Sequence, residues 1–482
     1  MRRGLTWAMR STRWLCRRQG LLEVHRFWPN ERLLDTVRRL ADLRLKTFGQ
    51  GGKSLAGMRE CEGSSATVLL DPIMELFKAT NDSWYLNFAE TIVDQMGDRR
   101  TLDIVHNSLK RLDLAEFADG KIYQLIWKHV GILKLHQVTG NPDYLQAVLN
   151  GWDEIVRYHL TIGGGPWGGF GGKWHECFNT RGFWTPYGIV ETCSTMSWIQ
   201  LNRELLRMFG DAKYADEVER AAYNSLLGAQ FPNGEDWSYY TLPNGFRELT
   251  GTWACCASSG PMALEELGPI MYGVTPRGVS INLYGDNHGS FILPGNTKLK
   301  VTQRTDYPFA GRVILRLEPE HPVELALSVR IPSWADEVGL TVNGSPIRTT
   351  RDNQGYATVE ATWREGDKVG LEFPMKLVMH RSVEQESVGK RSIYSNRWSA
   401  FTRGPLVYAV SGLIEGEGRE DRLRLPYVPG DKVLAPCPSP SESKAPAFRM
   451  PLPNEREIVF LTYFEADKRV RDEWRLTWIK TS

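Results

Sequence analysis

Apolar positions recur at helical spacing over the first half of the chain and alternate over much of the second. Leu33, Val37, Leu40, Leu43 and Leu45 open the helical part. Segments at 64–79, 82–97, 100–115, 120–139, 142–160, 184–209, 213–230 and 258–273 continue it. Three junctions repeat one design: Thr80-Asn81-Asp82-Ser83-Trp84, Thr139-Gly140-Asn141-Pro142-Asp143 and Phe209-Gly210-Asp211-Ala212-Lys213. In each, Asn or Gly stops one helix, and Asn or Asp caps the next. Recurring helical hairpins of this kind predict a toroid of paired helices. From about residue 275 the period becomes two, at 279–284, 298–302, 312–317, 324–329, 338–342 and 357–360, with Asn343-Gly344 as a hairpin turn. This predicts an antiparallel sandwich. Strands continue through 376–414, the Pro- and Ser-rich stretch 415–450 reads as loop, and a last strand pair lies near 457–465 and 474–479.

One segment breaks the helical pattern. Within residues 161–184, the stretch Gly163 to Gly172 holds seven glycines, with Trp167, Phe170 and Trp174 in and after it. No strand is expected before it and no Gly-Lys-Ser/Thr ends it, so a phosphate cradle does not fit. Two readings remain: a loop that brings backbone close to a ligand, or a flexible connector.

Composition narrows the class. The 482 residues carry a net charge of +2, with 41% hydrophobic and 24% charged residues. This is ordinary globular usage, and it does not favour nucleic acid as a partner. The absence of a run of about 18 apolar residues argues against a membrane span. The 17 tryptophans suit sugar faces, although most are expected to be core. Arg2, Arg3, Arg10, Arg13, Arg17 and Arg18, with no acid in residues 1–20, lead to the expectation that residues 1–28 are a leader or a mis-started segment. Seven cysteines, an odd number in no disulfide-domain pattern, suggest reduced thiols and a cytoplasmic setting.

The candidate chemistry sits in two short motifs, Glu191-Thr192-Cys193 and Cys255-Cys256. Three thiols and a carboxylate are a reasonable ligand set for zinc. The same cysteines could equally be buried small hydrophobes. Glu176, in Lys173-Trp174-His175-Glu176-Cys177, lies near Glu191 in sequence, and two carboxylates could act as acid and base on a glycoside.

These residues resemble the beta-L-arabinofuranosidases of glycoside hydrolase family 127, from about residue 50 to 480. The resemblance runs from Gly171-Gly172 through Glu176 to Glu191-Thr192-Cys193. It continues in Glu219-Arg220-Ala221-Ala222-Tyr223-Asn224 and Cys255-Cys256. Further matches are Arg330-Ile331-Pro332-Ser333-Trp334-Ala335, Val342-Asn343-Gly344 and Arg403-Gly404-Pro405-Leu406-Val407-Tyr408. It implies a multidomain α plus β protein: an (α/α)6 barrel over 29–274, a β-sandwich over 275–375, and a second sandwich or returning strands over 376–482. The helical segments are fewer than a complete barrel needs, so an incomplete barrel is expected.

The resemblance also implies a retaining hydrolase that releases L-arabinofuranose or a related sugar from the non-reducing ends of an oligosaccharide or plant-type glycan. A zinc ion (Zn2+) would be held by Glu191, Cys193, Cys255 and Cys256. Cys255 would be the nucleophile and Glu176 the general acid/base, its pKa raised by burial near Trp174. Trp174, His175, Glu219 and Tyr239 would contact the sugar. Lys121 stands where the family carries a histidine, while His129 and His136 lie further along and read as core or surface residues. Another glycosidase, a polysaccharide lyase or a non-catalytic carbohydrate-binding protein are the alternatives. The oligomeric state is left open, a dimer included.

Overall fold

The computed structural model describes residues 20–58, 60–169, 175–245, 247, 255–348, 350–388, 391–413, 423–425, 434–451, 457–467 and 474–481. The opening 1–19, Trp174 with Gly171 and Gly172, and Thr252-Trp253-Ala254 lie outside them. The chain divides into two compact units. One comprises 1–160, 166–183 and 189–201, and the other 161–165, 184–188 and 202–482.

The first unit is helical. Its principal helices are Glu31–Phe48, Leu70–Thr80, Ser83–Gly97, Ile104–Leu109, Ile122–Thr139 and Pro142–Tyr158. The expected junctions form. Asn81 and Gly140 stop their helices in the left-handed region, at φ 54° and 70°. Asp82 and Asn141 then cap the next helices through Trp84 N and Asp143 N. Ile122–Thr139 is buried on every face from Ile122 to Leu135, so it runs through the core of its unit. Its Lys134 is neutralised inside by Asp71 and Glu75, at 2.5 and 2.7 Å.

Two helices are shorter than their apolar spacing suggests. Over 100–115 only Ile104–Leu109 is helical, because Asp103 caps its start and Arg111 turns left-handed at φ 54°. Over 184–209 the helix begins at Thr192, because Ile189–Glu191 pairs as a strand with Trp167–Gly168. That short ladder falls in the glycine-rich segment where no strand was expected.

The second unit holds the rest of the helix Thr192–Phe209, then Ala212–Arg220, Cys256–Glu265 and the sheets. The third junction forms here, with Gly210 at φ 62° and Asp211 capping through Lys213 N. Four strands pair in the order Tyr356–Trp363, Val323–Arg330, Gly278–Ile281, Tyr272–Thr275. Six more run Ser345–Pro346, Gly339–Val342, Lys368–Glu372, Arg312–Pro319, Lys298–Thr305, Asn287–Ile292. One apolar core takes residues from both sheets, including Val279, Val301, Leu315, Leu327, Val329 and Val369. In Lys298–Thr305, exposed and buried positions alternate along most of the strand, as the period-two pattern demands. Asn343 and Gly344, at φ 50° and 83°, make the expected turn.

A further sheet, of ten strands among the described residues, runs from Leu377–Val388 onwards and takes in Asn244–Gly245 beside Trp474–Leu476. The stretch expected to be loop contains the strands Ala435–Cys437 and Ala447–Pro451. They pair with each other, and Ala447–Pro451 also pairs with Glu457–Thr462. Ala435–Cys437 ends the strand order, where a proline such as Pro436 costs no internal ladder bond. The order of a helical region followed by antiparallel sandwich sheets is the fold class expected. Among the described residues no helix is long and apolar enough to cross a membrane.

Candidate active site

Glu176 is fixed by backbone before its side chain is considered. The segment 176–178 lies between two others of the same unit. Ile122 N donates to Glu176 O at 2.9 Å, and Phe178 N to Gly120 O at 2.9 Å. On the other side Gly169 N donates to Cys177 O at 3.2 Å. Gly168 is required here, because a Cβ on it would stand 1.8 Å from Cys177 O. This glycine therefore serves a close approach of backbone to backbone.

The Glu176 side chain accepts from Lys121 Nζ, and the two side chains are 12% and 15% exposed. Burial pulls the Lys121 ammonium down, but Tyr123, Glu191 and Glu176 together hold its pKa above the ordinary lysine value. The Tyr123 ring lies 5.2 Å from Nζ. At neutral pH the proton of the pair therefore sits on Lys121. Lys121 was noted in the sequence only as a departure, and its partner is a glutamate 55 residues away. Trp174, the expected neighbour of Glu176, lies outside the described residues, and His175 is exposed.

In the same unit Glu191 ends the strand Ile189–Glu191, and Cys193 lies in the first turn of Thr192–Phe209. Both are buried, at 1% and 2% exposure. In the other unit Cys255 sits at the N-terminal end of the helix Cys256–Glu265, where the helix dipole favours a negative charge. Cys256 is fully buried, whereas Cys255 is half-exposed. Gly260 in that helix lets the Trp237 indole pack against it, since a Cβ would meet the ring at 2.1 Å. Each unit thus supplies two of the four expected ligands, Glu191 and Cys193 in one and Cys255 and Cys256 in the other. Three thiols and one carboxylate fit a thiophilic divalent ion.

Glu219 lies in the second unit. Its carboxylate is 2% exposed and accepts from Arg330 Nη2, from Tyr307 Oη at 2.6 Å and from Trp334 Nε1 at 3.2 Å. Arg330 also pairs with Asp216. This network joins Ala212–Arg220 to the sandwich. Asn224 of the same motif donates to Pro405 O at 2.9 Å and accepts from Val407 N at 2.8 Å. Two motifs noted separately in the sequence thus bind each other. Tyr239 remains partly exposed, its ring 4.5 Å from that of Tyr240. His129 is fully buried beside Leu125 O, and its pKa is pushed down to about 4, chiefly by burial. His136 bonds Asn141 O at 2.8 Å across a helix junction.

Residues 6–268 match the model of the beta-L-arabinofuranosidase, GH127 catalytic domain, and residues 278–375 match that of the GH127 middle domain. The chain belongs to glycoside hydrolase family 127. This family 127 chain is 21% identical to the non-reducing end beta-L-arabinofuranosidase of Bifidobacterium longum subsp. longum, over 81% of its own length. It spans 63% of that relative's length, less than two thirds. Its fold is similar to that of a family 127 beta-L-arabinofuranosidase from Geobacillus stearothermophilus T6. There the TM-score is 0.76 at 21% identity, covering 97% of this chain and 79% of that one. A second family 127 beta-arabinofuranosidase gives a TM-score of 0.77 at 20% identity, covering 97% and 76%.

Proposed function

We propose that this family 127 chain is a retaining exo-glycosidase. It would release L-arabinofuranose or a related sugar from glycan non-reducing ends, with Cys255 as nucleophile. The observation that carries this is the contrast among the four candidate ligands: Glu191, Cys193 and Cys256 are buried, and Cys255 is half-exposed at a helix N-terminus. A ligand that must also reach a substrate carbon has to be the accessible one.

Glu191, Cys193, Cys255 and Cys256 would hold the ion, and the donor set favours zinc. A zinc ion bound there would supply the charge that keeps the thiols deprotonated at neutral pH. Cys255 Sγ attacks the anomeric carbon, the glycosidic C–O bond breaks, and the leaving oxygen takes a proton from the Lys121–Glu176 pair. The pair then takes a proton from water as its oxygen displaces Sγ, which restores the configuration. Tyr239 and His175 are the sugar contacts this reading retains.

The test is turnover of an aryl beta-L-arabinofuranoside by the full chain and by Cys255→Ala. Expected are hydrolysis by the parent, a folded but inactive variant, and a glycosyl adduct on Cys255 by mass spectrometry. Full turnover by Cys255→Ala removes the nucleophile. An unsaturated sugar among the products means a lyase, and glycan binding without turnover means a binding protein.

A further inference from the structure

We infer that Asp113, Glu154 and His159, all in the first unit, form a second metal site for a divalent ion of the zinc class. The starting observation is an orphaned nitrogen. His159 follows the helix Pro142–Tyr158 as its C-cap and is 1% exposed. Its Nε2 is buried without a hydrogen-bond partner. That nitrogen faces two carboxylates, with Glu154 Oε1 at 3.7 Å and Asp113 Oδ1 at 3.9 Å. Both distances are too long for hydrogen bonds. The three ligand atoms nevertheless lie within 4.8 Å of one another. An unsatisfied buried polar group is costly, so a fold that keeps one gains from whatever fills the gap. An ion bonded to each donor at about 2.0–2.2 Å satisfies the nitrogen and accounts for the spacing.

The surroundings hold all three donors in place. Asp113 Oδ1 accepts from Ala115 N at 3.0 Å, and its Oδ2 accepts from Arg181 N at 2.7 Å. Arg181 Nε donates to Glu154 Oε1 at 2.7 Å. The Phe178 ring packs 4.6 Å from the imidazole. Outer contacts of this kind orient metal ligands. Charge also permits a cation, since two carboxylates face one guanidinium beside the imidazole. Imidazole with carboxylates suits zinc, and three protein ligands leave a fourth position for water. The Asp113 and Glu154 side chains are 13% and 11% exposed, which gives an ion access. The site shares no residue with the thiol-rich cluster. Bound metal would tie together the turn before Leu114, the end of Pro142–Tyr158 and the segment after Glu176.

The experiment uses the full chain, stripped by chelator and titrated with Zn2+ or Co2+ alone. Serine at Cys193, Cys255 and Cys256 removes the thiol cluster. That chain is expected to bind one equivalent of metal, to show no thiolate-to-cobalt absorption, and to melt higher with zinc. Adding His159→Gln should abolish the metal binding and the melting shift, and Glu154→Gln provides a second variant should His159→Gln fail to fold. Equal metal binding with and without these substitutions overturns the site, as does no binding by the triple-serine chain. Absence of thiolate absorption in the parent would instead count against the thiol cluster and leave this site standing.

Discussion

Two buried carboxylate–cation pairs carry the two glutamates that the sequence marks as sugar-facing, and they differ in what they leave available. Glu176 meets Lys121 with both side chains still partly exposed, at 12% and 15%. Glu219 meets Arg330 at 2% and 0% exposure, with Tyr307, Trp334 and Asp216 completing the network. Arginine does not give up its proton at working pH, so the second pair cannot relay one. The same residue type in two matching motifs is thus left partly open to solvent in one place and sealed into architecture in the other.

The comparison breaks most visibly at Arg330. Arg330→Met leaves Glu219 and Asp216 without their cation, and unfolding in denaturant should show a loss of about 3–5 kcal/mol. An unchanged midpoint would mean the network is not what joins helix and sandwich.

His129 sharpens the contrast as a buried base; Leu125 O, Ser108 and Lys128 lie beside it. Its pKa is about 4 in the folded chain against roughly 6.5 unfolded, so the unfolded state takes up the proton first. The stability contribution is complete above about pH 6.5 and is lost as pH falls towards 4, on the order of 3 kcal/mol. Melting curves across that window should flatten in His129→Leu.

Lys121→Met should fold with a melting midpoint close to the parent's and lose about 100-fold in kcat on an aryl arabinofuranoside, with KM little changed. Lys121→His should recover part of the rate, since imidazole can also carry the proton. Parental kcat in Lys121→Met would make the pair a structural contact like the other one.

Glu219→Gln is the smallest change. It should cost about 2 kcal/mol of stability, as loss of a charged hydrogen bond does, and leave kcat near that of the parent. Normal stability with lost activity would reverse the two roles.

The sequence by itself determined what is local. Helix stops and caps at Asn81-Asp82, Gly140-Asn141 and Gly210-Asp211 formed as read, as did the Asn343-Gly344 turn and the alternating strands. In these, the residue that sets the geometry and the backbone it sets are neighbours. Short strands such as Trp167–Gly168 and Ala435–Cys437 were not legible, because their pairing partners, not their own residues, make them strands.

The partners of the marked glutamates were decided only by tertiary structure. Lys121 is 55 residues from Glu176, and Arg330 is 111 from Glu219. The orphaned nitrogen of His159 likewise appears only when Asp113 and Glu154 are brought to it. Charge, burial and hydrogen bonding act through space. The composition of a motif therefore limits which chemistry it could do, and the fold decides whether its side chains are spent on holding the chain together or left for a substrate.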